Sequence, residues 1–251
     1  MKGTDFVGGL AKGLKVIEAF GDTTRRLAIA DAANTTGLDR ATARRCLLTL
    51  AELGYADYDG KFFTLTPRIL RLGHAYLLAT PLPLIVQPVL DRLAETIHQS
   101  ASASVLDDTE IVYVARASQQ RVMSINLTPG SRLPAYCASM GRVLLSALPE
   151  ADARARLERS ELRALTPHTR TEIEGLMAEL ALVRDQGYAV IDQELELGLC
   201  SLAVPLHDDR GHVVAAINIG APAAQIAASE MAGRFLGPLK QAAATLRPRL
   251  R

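Results

Sequence analysis

The stretch from Leu27 to Leu65, LAIADAANTTGLDRATARRCLLTLAELGYADYDGKFFTL, constrains the chain more than any other, because its turn-forming residues fall at set distances from its apolar ones. Ile29, Ala32 and Ala33 recur at i, i+3 and i+4, so a short helix here turns one apolar stripe inward. Gly37 is the expected left-handed cap that ends it, and Leu38 plugs the angle to a second helix. Asp39 is the expected N-cap of that second helix, which runs to about Leu53. On it Ala43, Leu47 and Leu50 face inward with Cys46, leaving Arg40, Arg44 and Arg45 outward with Thr42. Beyond Gly54, the alternating segments Tyr55 to Tyr58 and Phe62 to Leu65 are joined by Asp59-Gly60, a dipeptide suited to a tight hairpin turn, with Lys61 at the tip.

Two capped helices followed by a hairpin make a winged helix-turn-helix. Its expected use is to lay the second helix in the major groove of double-stranded operator DNA while the wing touches neighbouring backbone. The candidate DNA contacts are Thr36, Arg40, Thr42, Arg44 and Arg45 on the helix pair and Lys61 on the wing. Three arginines alone would read as a solvated helix face. The glycine cap, the N-cap and the wing, all in register, favour DNA. The formal net charge is only +1, so attraction to a duplex has to come from this local cluster. Before the motif, Leu10, Leu14 and Ile17 mark a third helix ending near Gly21, and Arg25 and Arg26 precede the next one.

The 251 residues, 49% of them hydrophobic, suffice for two cores. No apolar run is long enough to span a bilayer, and the start MKGTDFVGGLAKGL has no signal-peptide pattern, so the expected compartment is the cytoplasm, with no membrane partner. Cys46, Cys137 and Cys200 lie far apart and support neither a disulfide framework nor a zinc site. No two histidines have ligand spacing, and neither metal nor cofactor is expected.

The expected domains are a winged domain at 1–66, a linker helix and hinge at 67–83, and a second domain at 84–251. In the linker, Ile69, Leu72, Tyr76 and Leu77 form an apolar stripe that Pro81-Leu82-Pro83 breaks. Either the stripe pairs with a second copy, since one winged domain reads only one half-site, or it packs on its own second domain. A helix from about Leu84 to His98 follows, with Pro88 in its early turns. Period-two patterning then predicts strands at Ala103 to Leu106, Ile111 to Ala115 and Val122 to Leu127. Helices follow at Ala138 to Leu148, Glu150 to Arg159 and Thr171 to Gln186. Strands return at Tyr188 to Asp192, Leu199 to Pro205 and Val213 to Ile219, before a last helix from Ala224 to Leu246. The fold class is α+β, an antiparallel sheet with helices to one side or around it.

A ligand site is expected where LTPGSRLPAYCASMGRVLLSALP, 127–149, turns strand into helix. The free N–H groups of Ser139, Met140 and Gly141 at that helix start suit a carboxylate. Opposite, Ser201 in GLCSLAVPL and Asn218 in AAINIG are isolated polar residues in apolar strands and need partners, which a ligand or the backbone can supply.

These four motifs, the winged stretch, the small-residue turn, GLCSLAVPL and AAINIGAP, together resemble the IclR family of bacterial transcriptional regulators over essentially the whole chain. GSRLPAYCASMGRVLLSALP and LTPHT at 165–169 are similar to its branch that controls aromatic-acid and β-ketoadipate catabolism, the PcaR, PcaU and PobR type. The resemblance implies a GAF-like effector domain and assembly as a homodimer or dimer of dimers. It implies a small organic acid effector of the 4-hydroxybenzoate, protocatechuate or β-ketoadipate class, activation rather than repression, and RNA polymerase as a further partner. Carried over by position, the effector contacts are Ser139, Met140 and Gly141, Ile191 and Asp192, Ser201, and Asn218 and Gly220. Glyoxylate-type members resemble a serine pair where Asn218 and Gly220 stand and a cysteine where Ser201 stands, so their effector is not transferred. Arg132 is a candidate counter-ion or a surface arginine. The rival reading is a hydrolase using Ser201, Cys200 or Ser139 with His168, His207 or His212, although no G-x-S-x-G pattern surrounds either serine.

Overall fold

Gly37 takes a left-handed φ of 68°, and Asp39 accepts a hydrogen bond from the Thr42 N–H at 2.8 Å. The turn between the two helices is therefore built as its residues dictate. The computed structural model describes residues 5–21, 24–79, 81–118 and 127–250, divided into two compact units at Met1–Ala79 and Thr80–Arg251.

In the first unit, α1 (Gly8–Glu18), α2 (Ile29–Thr36) and α3 (Arg40–Glu52) pack around Val16, Leu27, Ala32, Ala43 and Leu47. Asp31 caps α2 by accepting from the Ala28 N–H at 3.0 Å. The wing is β1 (Ala56–Tyr58) against β2 (Phe63–Leu65), with Tyr58 paired to Phe63. Its connection is thus the four residues 59–62 rather than a two-residue turn. The Asp59 carboxylate accepts from the N–H groups of Lys61 and Phe62, and Gly60 sits at φ 97°. Leu27 exchanges two backbone bonds with Phe63, which ties the start of α2 to the wing. Of the residues that marked α1, Leu10 is 64% and Leu14 45% exposed while Ile17 packs against the core, and Val16 is the buried residue. Leu10 and Leu14 flank a groove beside Thr49, Leu50 and Leu53 instead. A turn at Pro67–Ile69 leads into α4 (Leu70–Ala79), on which Leu70, Leu72 and Tyr76 are exposed.

The second unit opens with α5 (Leu82–Ile97), which contains Pro88, and then builds one six-stranded, wholly antiparallel sheet. Its strands are β3 (Ser100–Asp107), β4 (Glu110–Ala117), β5 (Arg132–Pro134), β6 (Ala189–Asp192), β7 (Leu199–His207) and β8 (Val213–Pro222), in the spatial order β5-β4-β3-β8-β7-β6. The helices α6 (Ser139–Ser146), α7 (Glu150–Arg159) and α8 (Ile173–Gln186) complete one core with the sheet, through residues such as Tyr136, Leu145, Leu157, Leu176 and Leu180. α5 and α9 (Ala228–Leu246) complete another through Leu90, Ile217, Ile219, Met231 and Leu239. Helices therefore cover both faces of the sheet. The strand expected at Val122 to Leu127 lies outside the described residues except for Leu127. A short edge strand forms at Arg132, where the sequence suggested only a turn.

The two faces of this sheet differ in kind. One carries Ala101, Ala103, Ala115, Cys200, Leu202, Val204, Ile217 and Ile219 into the dry core under α5 and α9. The other is paved with small and polar side chains, because cross-strand partners fall in rows: Ile191, Ser201, Gly220 and Ser100 in one, and Ala203, Asn218, Ser102 and Arg116 in the next. β4 joins this arrangement through a bulge. Ala103 pairs with Ala115 but Ser104 with Tyr113, so Val114 is an extra residue and strict alternation is broken there. Arg116, three residues after Tyr113, consequently faces the same side as Tyr113.

Candidate functional site

The first candidate surface is the outer side of α3 and the wing. Arg40, Arg44, Arg45 and Lys61 are exposed. Thr36 and Thr42 are not available to a duplex as the sequence suggested, being 2% and 7% exposed. Thr36 donates from Oγ1 to the Ala32 carbonyl at 2.6 Å and accepts from the Leu38 N–H, locking the turn. Thr42 lies on the flank of α3 that meets α1, so the inward stripe of α3 is wider than its leucines imply. Thr42 accepts from Arg45 Nη2 at 3.3 Å and so steadies that arginine. Arg26, which precedes α2, pairs with Asp59, and its guanidinium stacks 4.7 Å from the Phe62 ring centre. Lys61 Nζ lies 5.1 Å from the same ring, so the wing presents two cations over one aromatic.

The second candidate is a cavity of about 30 Å³ between the polar sheet face and the start of α6. Ser139, Met140, Ile191, Ser201, Asn218 and Gly220, six residues expected from sequence, all line it. Two others do not. Asp192 follows Ile191 on the strand and so points to the other side, where it is exposed and accepts from the Cys200 thiol at 3.3 Å. Gly141 serves a close approach instead: a Cβ on it would lie 2.1 Å from the Ala135 carbonyl oxygen. Arg132 is no counter-ion for the cavity. Its guanidinium is held at the surface by Asp107 and Glu110, both at 2.7 Å.

The cation in the wall is Arg116, missed in the sequence. It donates from Nη1 to Ser102 Oγ at 3.0 Å, and burial lowers its pKa from the ordinary arginine value. Tyr113 shares the cavity, its phenol pushed up to about 12 by burial, and the Cys137 thiol is likewise pushed up to about 12. Both stay protonated at neutral pH. Across from them α6 begins with Ala138 in extended conformation and no side-chain cap. Ser139 Oγ is buried there with no hydrogen-bond partner among the described residues. An unpaired buried hydroxyl costs about 1–3 kcal/mol, so this one is a standing preference for an added polar group. A guanidinium, a phenol and an uncapped helix start around one enclosed space favour an anion.

The position of α6 depends on Arg142, also missed in the sequence although it is 1% exposed. It donates from Nε to the Tyr136 carbonyl and from Nη2 to Glu194 at 2.8 Å, with Glu179 3.8 Å from Nη1. Glu194 also accepts from the Arg170 N–H, so one buried pair ties α6 to two loops. The hydrolase alternative finds no support. No histidine lines the cavity, and Cys200, bonded to Asp192, has its thiol pushed up to about 12, chiefly by burial. His212 is engaged with Asp208 in the turn between β7 and β8.

Comparison with known proteins agrees with this geometry. Residues 9–60 match the IclR helix-turn-helix domain, and residues 74–247 match the bacterial transcriptional regulator IclR C-terminal domain. The chain is 46% identical over 233 residues to the Pca regulon regulatory protein of Pseudomonas putida, covering 92% of this chain and 80% of the relative. It is 39% identical over 219 residues to the p-hydroxybenzoate hydroxylase transcriptional activator of Acinetobacter baylyi, covering 85% and 81%. The fold also matches a crystal structure of an IclR homologue complexed with 4-hydroxybenzoate from Microbacterium hydrocarbonoxydans, with a TM-score of 0.79 and 25% identity over 96% of this chain and 98% of that one. Its families and relatives are regulators, not enzymes, and the chain belongs to the IclR family of bacterial transcriptional regulators, as a DNA-binding member.

Proposed function

We propose that this regulator controls an aromatic-acid or β-ketoadipate catabolic operon, and that its effector is a small carboxylate or aromatic acid of the 4-hydroxybenzoate, protocatechuate or β-ketoadipate class. The single observation that carries the reading is the cavity, where the half-buried guanidinium of Arg116 and the unpaired hydroxyl of Ser139 face the same enclosed space. A carboxylate satisfies the helix start or the guanidinium, and a phenol or second acid group satisfies the other. The catabolic setting is supported by the functions of the Pseudomonas and Acinetobacter relatives. One of these is an activator, which makes activation the preferred sign.

On the DNA side we assign Arg40, Arg44, Arg45 and Lys61 as duplex contacts, with 1–66 as the DNA-binding domain, 67–83 as linker and 84–251 as effector domain. The exposed Leu70, Leu72 and Tyr76 on α4 support pairing of two copies, so that two winged domains meet two half-sites. RNA polymerase is the further partner that activation requires.

Calorimetry of the full-length protein with each of the three acids tests the reading. One of them should bind, and Arg116→Met should weaken it by about tenfold, as loss of a charge-assisted hydrogen bond implies. Absence of binding by all three sinks the effector assignment.

A further inference from the structure

The amide of Gln87, on the second turn of α5, grips the backbone of Arg116 from both sides. Its Nε2 donates to the Arg116 carbonyl at 3.0 Å, and its Oε1 accepts from the Arg116 N–H at 3.2 Å. Nε2 also donates to Asp91 Oδ1 at 2.7 Å, one turn further along the helix, which fixes the direction of the amide. Among the described residues no neighbouring strand takes this place: β5 pairs with Glu110, Ile111 and Val112 and stops short of Arg116. Among the described residues, the backbone of the arginine that lines the cavity is therefore held on this edge by a side chain of α5. That helix starts at Leu82, three residues beyond the last residue of α4.

We infer that Gln87 is a positioning residue that couples occupancy of the cavity to α5, and through α5 to the linker that leads to the DNA-binding domain. The inference rests on the effector reading above. Its physical basis is volume and charge. A space of about 30 Å³ has room for about two waters. An aryl acid of roughly ten heavy atoms exceeds it several-fold, so its walls have to move on binding. The guanidinium of Arg116 now rests on Ser102, and a carboxylate competes for it. A shift of that residue is felt at once by the amide that holds its N–H and C=O. Pro88 follows Gln87 directly and has no N–H to give the Leu84 carbonyl, so the first turn of α5, nearest the linker, is joined to the turn bearing Gln87 by one bond fewer. An effector shifts the protein only by its differential affinity for the two arrangements, and the clamp makes α5 part of what differs.

The test uses Gln87→Glu, which sets a carboxylate against the Arg116 carbonyl and Asp91, and Gln87→Leu, which removes the clamp without adding charge. Both are compared with the parent as full-length proteins, using the acid that the parent binds. Calorimetry gives effector affinity, and fluorescence anisotropy gives operator affinity with and without effector. Effector affinity and effector-free operator affinity should stay within about threefold of the parent, while the effector-induced change in operator affinity falls at least fivefold in both variants. If that change stays within twofold of the parent in Gln87→Leu, the coupling role is refuted. Loss of effector binding in both variants also refutes it, since Gln87 would then shape the cavity rather than report on it. A parent that binds none of the acids brings down the effector reading itself. Should Gln87→Glu fail to fold, Gln87→Leu decides alone.

Discussion

Ser139 and Gly141 stand two residues apart on α6, yet the same substitution should act on them in opposite ways. Ser139→Ala removes a buried hydroxyl that has no partner, so stability should hold or rise by up to about 1 kcal/mol while effector affinity falls. Gly141→Ala forces a methyl to within 2.6 Å of three Ala135 backbone atoms, and overpacking of this kind costs about 1–3 kcal/mol or more. Urea melts of the two variants beside calorimetric titration separate the roles. A Ser139→Ala protein that loses stability as Gly141→Ala does would mean that the hydroxyl is structural. Six of the eight expected effector residues line the cavity because an isolated polar residue in an apolar strand, or a small residue at a helix start, is a local signal. Arg116 gave no such signal. By strict alternation it falls on the face opposite Tyr113, and only the extra residue Val114 turns it inward. Arg142 looked like an ordinary helical arginine because its partners, Glu194 and Glu179, lie far along the chain.

At the scale of elements, the winged unit was legible almost throughout, since its caps and turn depend on contacts within four residues. Asp39 holds the start of α3, and Asp59 holds the wing turn. Hydrogen bonds from the Thr42 N–H, and from those of Phe62 and Lys61, keep both carboxyls below the usual aspartate range. A carboxyl whose folded pKa lies below its unfolded value adds stability that is fully present above the unfolded value, near pH 4, and is lost as pH falls through the folded one. The double variant Asp39→Asn/Asp59→Asn should therefore melt below the parent at pH 7, with the gap closing as the buffer is taken from pH 5 towards pH 2. A gap that widens on acidification would contradict the assignment. Less legible were features that need a distant partner. Thr36 and Thr42 were expected at the DNA surface, but α1 and the turn itself enclose them. The edge strand at Arg132 exists only because β4 offers it a ladder.

For the molecule as a whole, a net charge of +1 means that affinity for a duplex rests on a few exposed cations. Arg45→Ala should lower operator affinity by about tenfold or more, and Tm should barely move, since exposed substitutions change stability by about 0.5 kcal/mol or less. If two copies each bring one Arg45 to a phosphate, the slope of log affinity against log salt should shrink by about two. A slope reduced by only about one would indicate a single engaged winged domain, and an unchanged affinity would remove Arg45 from the interface. The apolar side chains exposed on α4 fit pairing of this kind.

The six-stranded sheet also separates two kinds of change. Its aliphatic side, under α5 and α9, carries the packing that keeps the unit folded, whereas its serine-rich side lines the cavity that we propose receives the effector. Because neighbouring residues on a strand point to opposite sides, a lineage can alter positions 102, 201, 218 and 220 one at a time and leave the dry layer behind them intact. Retuning such a sensor to a new acid is therefore a matter of repaving one surface, and drift in specificity need not carry a penalty in thermal tolerance.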